Sequence, residues 1–153
     1  MKVSKWICAA ALSLSASALL ADETEYKVLA EKIPAAFEGD VDFVKDIKPI
    51  FEKACISCHS GRRPKSRYSM ETREKAIKGG SSDLKAIVEK KSATSPLVYF
   101  SADAVDDEEL WMPPATKREK YPKLKKEQVA KIRAWIDQGA KWPEDVVLKE
   151  IEE

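Results

Sequence analysis

The sequence predicts an all-α domain built from five or six short helices. Three observations carry that expectation. Apolar residues recur at spacings of three and four in several segments, with no convincing series of alternating strands. Glycine, proline and clusters of small polar residues fall between those segments and punctuate them. The chain has 153 residues, 44% hydrophobic and 35% charged, which allows one domain with a core and a water-facing surface, and it carries no internal repeat.

The first 21 residues read as a secretory signal peptide. Lys2 and Lys5 give a short positive start, Trp6 to Leu20 is an apolar run, and Ala16 to Ala21 supplies small residues for cleavage after Ala21. The run is short for a transmembrane helix; an uncleaved anchor is the alternative. Cys8 lies inside the leader, lacks the small residues that precede a lipidated cysteine, and is given no function. Removing the leader and its two lysines takes the net charge from +1 to about −1. That balance, with export, argues against a nucleic-acid partner, although Arg62-Arg63-Pro64-Lys65-Ser66-Arg67 resembles a basic patch.

Residues 22–40 form an extension and linker. Tyr26, Leu29, Ala30 and Ile33 suggest a short amphipathic helix ending before Pro34, and 35–40, with Gly39, reads as linker. The domain is expected over 41–143. Its first helix spans about Val41 to Lys53, with Phe43, Ile47, Ile50 and Phe51 on one face. Pro49 lies within it and should kink it or split it in two.

That helix runs into Cys55-Ile56-Ser57-Cys58-His59, the C-x-x-C-H signature of covalent haem attachment. Two thiols one turn apart can each add across a haem vinyl group, and the histidine that follows can bind iron from the proximal side. A Cys55–Cys58 disulfide, a thioredoxin-type redox pair, a zinc site and a Cys–His nucleophile pair are the competing readings. The thioredoxin motif wants a βαβ setting. Zinc wants about four ligands, and beyond the leader the chain offers two cysteines and one histidine.

Past the motif, Gly61 to Arg67 reads as a loop, solvated in preference to a partner-docking patch or a propionate clamp. Glu71 to Lys78 reads as a helix that Thr72 can cap and Gly79-Gly80 ends. Ser81-Ser82-Asp83 offers a cap for a helix over Leu84 to Lys90, with Leu84, Ile87 and Val88 as its apolar face. Ser95 and Pro96 open another, with Leu97, Val98 and Phe100 following. The acidic run Asp106-Asp107-Glu108-Glu109 reads as a solvated loop in preference to a calcium or docking site. The last strong helix spans about Lys125 to Gln138, with Leu124, Val129, Ile132, Trp135 and Ile136 as its stripe and Gly139 as its stop. Trp135 is expected in the core, where the first and last main helices cross. Residues 144–153 form a tail or short helix opened at Trp142-Pro143, with Val147, Leu148 and Ile151 on its buried face.

His59 is the only histidine, so one chain can hold one such haem and cannot supply two histidine ligands. Methionine is the other common axial partner; Met70 and Met112 remain once the leader is gone. Met112 is favoured as distal ligand: it stands 53 residues after His59, and Pro113-Pro114 stiffen its loop. Met70, 11 residues from His59 at a helix start, reads better as a packing contact, and an open sixth position is the third possibility. Trp111 either donates its indole N–H to a propionate or packs on the haem edge.

Taken in order, several stretches resemble the planctomycete-type cytochrome c domain, a branch of class I cytochromes c. They are Val44 to Phe51, Cys55 to His59, Glu71 to Glu74 with Lys78 to Gly80, Met112 to Pro114, and Ile132 to Ala140. Lys125-Lys126 departs from the family's usual cap at the start of the last helix. The resemblance implies a cytochrome c-like fold around one haem c, with Cys55 and Cys58 bonded to it, His59 proximal and Met112 distal. It implies a periplasmic or otherwise exported electron carrier, not an enzyme itself, that meets redox protein partners. A haem-based sensor or peroxidase-like enzyme with an open sixth position is the alternative.

Overall fold

The computed structural model describes residues 26–151; the leader, Cys8 and the cleavage position lie outside the described residues. The described residues are helical: four α-helices joined by long loops and short 3-10 turns, with one isolated antiparallel bridge, Val28 to Val105, and no strand. The helices are α1 (Lys48–Ala54), α2 (Arg73–Lys78), α3 (Pro96–Ser101) and α4 (Lys126–Asp137). No helix among the described residues is long and apolar enough to cross a membrane.

The proline in the first helix does split it. A π-helical turn, Phe43–Ile47, precedes α1, and the Lys48 N–H reaches back five residues to the Phe43 carbonyl. Pro49 then lies in the first turn of α1, where its missing N–H is least costly. Asp42 caps the π turn by accepting from the Lys45 N–H at 2.8 Å. The combined face buries Phe43, Ile47, Ile50 and Phe51.

These residues meet α4. Trp135, 1% exposed, sits between Phe51 (ring centroids 5.7 Å) and Phe43 (5.6 Å), and Trp142 stacks on Phe43 at 4.0 Å. Both indoles are satisfied: Trp135 Nε1 donates to the Lys141 carbonyl and Trp142 Nε1 to that of Val146, each at 2.7 Å. The expectation that Trp135 marks the crossing of the first and last helices is met. Helices of six or seven residues are not stable alone, so this aromatic cluster is what holds α1 in place. Glu52, on the same helix and nearly buried, is satisfied by Lys48 Nζ at 2.6 Å and the Lys149 N–H at 3.1 Å.

Several expected helices are absent. Residues 84–90 form none; Ser95 Oγ accepts from the Val88 N–H, the Lys90 N–H reaches the Ile136 carbonyl, and the Leu97 N–H reaches Ala86. The N-terminal helix shrinks to one 3-10 turn, Ala30–Lys32, because Lys27 to Leu29 pair with Ala104 to Asp106. Among the described residues after Trp142 the chain makes only a turn; Leu148 alone of these is buried, while Val147 and Ile151 are about half exposed. Thr72 and Ser95 occupy the N-cap positions of α2 and α3, but neither side chain caps. At α4 the Gln128 side chain accepts from the Lys125 N–H at 2.8 Å, which supplies a cap where the sequence lacked an obvious one.

Candidate functional site

The C-x-x-C-H stretch is a tight turn that continues α1. The Cys55 N–H bonds the Phe51 carbonyl at 2.9 Å, and the Cys58 and His59 N–H groups both bond the Cys55 carbonyl, at 3.1 and 2.9 Å. Ile56 is fully buried and pins the turn to the core. Cys55 and Cys58 carry free thiols and are both partly exposed. Desolvation of its sulfur pushes the Cys55 thiol up to about 12, with Cys58 adding to the rise.

His59 is 8% exposed. Its Nδ1 lies 3.1 Å from the Tyr68 carbonyl oxygen. A carbonyl can only accept, so Nδ1 carries the proton and the lone pair resides on Nε2. Burial lowers the His59 pKa, against smaller opposing effects of the Tyr68 and Lys65 carbonyls, and so favours the neutral ring that a metal needs. The Tyr68 ring packs on the imidazole, with centroids 5.0 Å apart, and its hydroxyl donates to the Ala76 carbonyl at 3.0 Å. Burial raises the Tyr68 pKa, with Cys55 contributing.

The loop after the motif is tied back to it. The Lys65 N–H bonds the Cys58 carbonyl at 2.9 Å, and the Met70 N–H bonds that of His59 at 2.8 Å. Arg62, Arg63, Lys65 and Arg67 all face solvent, in keeping with the solvated-loop reading. The Met70 side chain is 1% exposed within the core. In the acidic run, Asp107 accepts from the Glu109 N–H and Asp106 from the Lys27 N–H. Among the described residues no group of three or more His, Cys, Asp or Glu could hold a metal ion.

Trp111 and Met112 lie on a separate loop. The Met112 N–H bonds the Phe100 carbonyl at 3.0 Å, and the residue is partly exposed. Trp111 Nε1 donates to the Val105 carbonyl at 3.1 Å. Lys32 and Arg118 flank the Trp111 ring at 5.9 and 5.4 Å. Cys55, Cys58 and His59 are thus brought together, whereas no hydrogen bond or ring contact among the described residues joins Trp111 or Met112 to that turn.

Two free thiols and a neutral imidazole with its Nε2 lone pair, all on one turn, fit covalent haem and its proximal iron ligation. An all-α domain with this turn at the end of its first helix is the arrangement expected of a c-type haem domain. Residues 55–116 match the family model described as Planctomycete cytochrome C, the family that the sequence resembles, and that stretch contains both cysteines, His59, Met70 and Met112. No curated protein and no solved structure matches the chain.

Two elements of the surroundings had no signal in the sequence. The Tyr68 backbone carbonyl that orients His59 is independent of side-chain identity. The second is the charged group beside Met112, which joins Asp103 to Arg118 and Lys123.

Proposed function

We propose that the chain is an exported, monohaem c-type cytochrome that acts in electron transfer. Its functional unit is the domain at 41–143, preceded by a leader (1–21) and an extension (22–40), and followed by a tail (144–153). Cys55 and Cys58 hold haem c through thioethers, His59 Nε2 is the proximal iron ligand, and the Met112 thioether is the distal one. Bound, haem c supplies reversible one-electron chemistry between ferrous and ferric iron.

The observation that carries the reading is the His59 Nδ1 to Tyr68 carbonyl hydrogen bond at 3.1 Å. It fixes the tautomer and ring orientation that iron ligation requires and raises the basicity of Nε2. Burial of the ring keeps the imidazole neutral. Ile56 anchors the turn in the core and so holds Cys55 and Cys58 in fixed positions along it. A thioether partner for a histidine raises the reduction potential relative to harder ligand sets. The chain itself performs no catalysis; it meets redox protein partners and can serve an oxidoreductase as partner or subunit.

The test is Met112→Ala in the haem-loaded protein. The expected result is loss of the thioether-to-iron charge-transfer band, a lowered potential and new affinity for carbon monoxide. An unchanged spectrum would remove Met112 as ligand. A wild-type protein that already binds carbon monoxide would favour sensing or catalysis at an open sixth position.

A further inference from the structure

Met112 sits between two residues that one guanidinium holds. Arg118 Nε donates to the Pro113 carbonyl at 3.1 Å, on the C-terminal side of Met112. Its Cζ lies 5.4 Å from the centre of the Trp111 ring, on the N-terminal side. The third grip is Arg118 Nη2 on Asp103 Oδ1 at 2.6 Å. Asp103 is 5% exposed, and its other oxygen takes Lys123 Nζ at 2.7 Å.

Asp103 is a firm anchor. It follows α3, and its N–H and that of Met112 both bond the Phe100 carbonyl, at 3.4 and 3.0 Å. The Met112 backbone is therefore referenced to α3 in two ways: directly at Phe100, and through Asp103 and Arg118 to the residues on either side. Trp111 Nε1 adds a bond to Val105, so the residue before Met112 is held at its indole N–H as well as over its ring face.

We infer that Arg118, seated on Asp103, is the positioning residue for the Met112 thioether. This rests on Met112 being the distal ligand. A thioether is a weak ligand, and its hold on iron depends on the loop presenting it without an entropic loss. A planar fork can span a carboxylate, a carbonyl and an indole face together, which a lysine ammonium cannot. Arg118 acts through residues 111 and 113.

The experiment is imidazole titration of the ferric, haem-loaded protein, followed in the main haem absorption band, which every variant retains, for Arg118→Gln, Met112→Ala and the double variant. Arg118→Gln should bind imidazole about tenfold or more tighter than wild type, matching the loss of a charge-assisted hydrogen bond. In the Met112→Ala background, Arg118→Gln should add nothing, because its effect passes through the thioether. Should Arg118→Gln fail to fold, Arg118→Lys keeps a cation beside Asp103 and should still gain about threefold. The inference is overturned if Met112→Ala raises imidazole affinity while the arginine variants stay within about twofold of wild type. It is equally overturned if the gain persists in the Met112→Ala background, which marks general loosening. If Met112→Ala itself leaves imidazole affinity unchanged, the distal-ligand reading fails and the inference falls with it.

Discussion

Replacing Trp135 by phenylalanine tests whether the aromatic cluster is what fixes α1, and with it the haem-attachment turn. Trp135 is 1% exposed and touches Phe43, Phe51 and Trp142. Phenylalanine keeps most of the ring but removes Nε1, which donates to the Lys141 carbonyl at 2.7 Å. Losing a buried hydrogen bond and stranding its acceptor costs about 1–2 kcal/mol. The smaller ring leaves a void among neighbours that cannot collapse freely, adding about 1–2 kcal/mol. The sum, about 2–4 kcal/mol, is centred about 1 kcal/mol under the roughly 3–5 kcal/mol expected for full truncation to alanine and overlaps its lower end. Urea unfolding of the haem-loaded protein, followed by far-ultraviolet circular dichroism, measures it. Trp111→Phe is the comparison: it also loses an indole hydrogen bond, but at a partly exposed site, so its cost should be about 1 kcal/mol. A Trp135→Phe loss under about 1 kcal/mol, or one no larger than that of Trp111→Phe, would refute the reasoning.

Three further outcomes follow from particular contacts. At Gly80 a Cβ would lie 2.4 Å from the Ser66 carbonyl oxygen and 2.9 Å from Tyr68 Cβ, so Gly80→Ala should cost about 1–3 kcal/mol in thermal unfolding and disturb the backbone that carries the His59 acceptor. Lys131 Nζ bonds Asp46 at 2.6 Å, and that bond is the main reason the Asp46 pKa is lowered. A lowered carboxylate stabilises the fold fully above its unfolded pKa of about 4 and loses that contribution as pH falls through the folded value. Lys131→Met should therefore cost about 0.5 kcal/mol near neutral pH, a figure discounted for solvent at a partly exposed pair, with the gap to wild type closing below about pH 4 in pH-dependent urea titrations. Arg62 and Arg63 are exposed, so converting both to glutamine should leave the unfolding free energy within about 0.5 kcal/mol of wild type.

What the sequence made legible was local. The C-x-x-C-H turn is five consecutive residues, and the stripes of the first and last helices follow a period that their burial satisfies, down to Trp135 at the crossing. The split at Pro49 was also readable, because it rests on a missing N–H. Residues 84–90 misled because Leu84, Ile87 and Val88 have helical spacing while their backbone groups find distant partners. Asp83 and Lys90, with φ of 57° and 62°, bend the chain away from a helix at both ends of that stretch. The tail misled likewise: the Leu148 N–H goes to the Glu71 carbonyl and the Lys149 N–H to Glu52 Oε1. Periodicity reports which side is apolar, and not where the backbone hydrogen bonds go. Around the site, the orienting Tyr68 carbonyl and the Asp103–Arg118 pair, 15 residues apart, depend on tertiary folding that no motif encodes.

The absorption spectrum of the protein purified from the exported fraction, oxidised and reduced, with and without carbon monoxide, tests the electron-carrier reading most directly. The account predicts haem that resists extraction, sharp reduced bands, a thioether-to-iron charge-transfer band when oxidised, and no response to carbon monoxide. Covalent haem that takes up carbon monoxide readily would contradict Met112 ligation and move the reading to a sensor or enzyme. A protein without haem would return Cys55 and Cys58 to a disulfide and contradict the account as a whole.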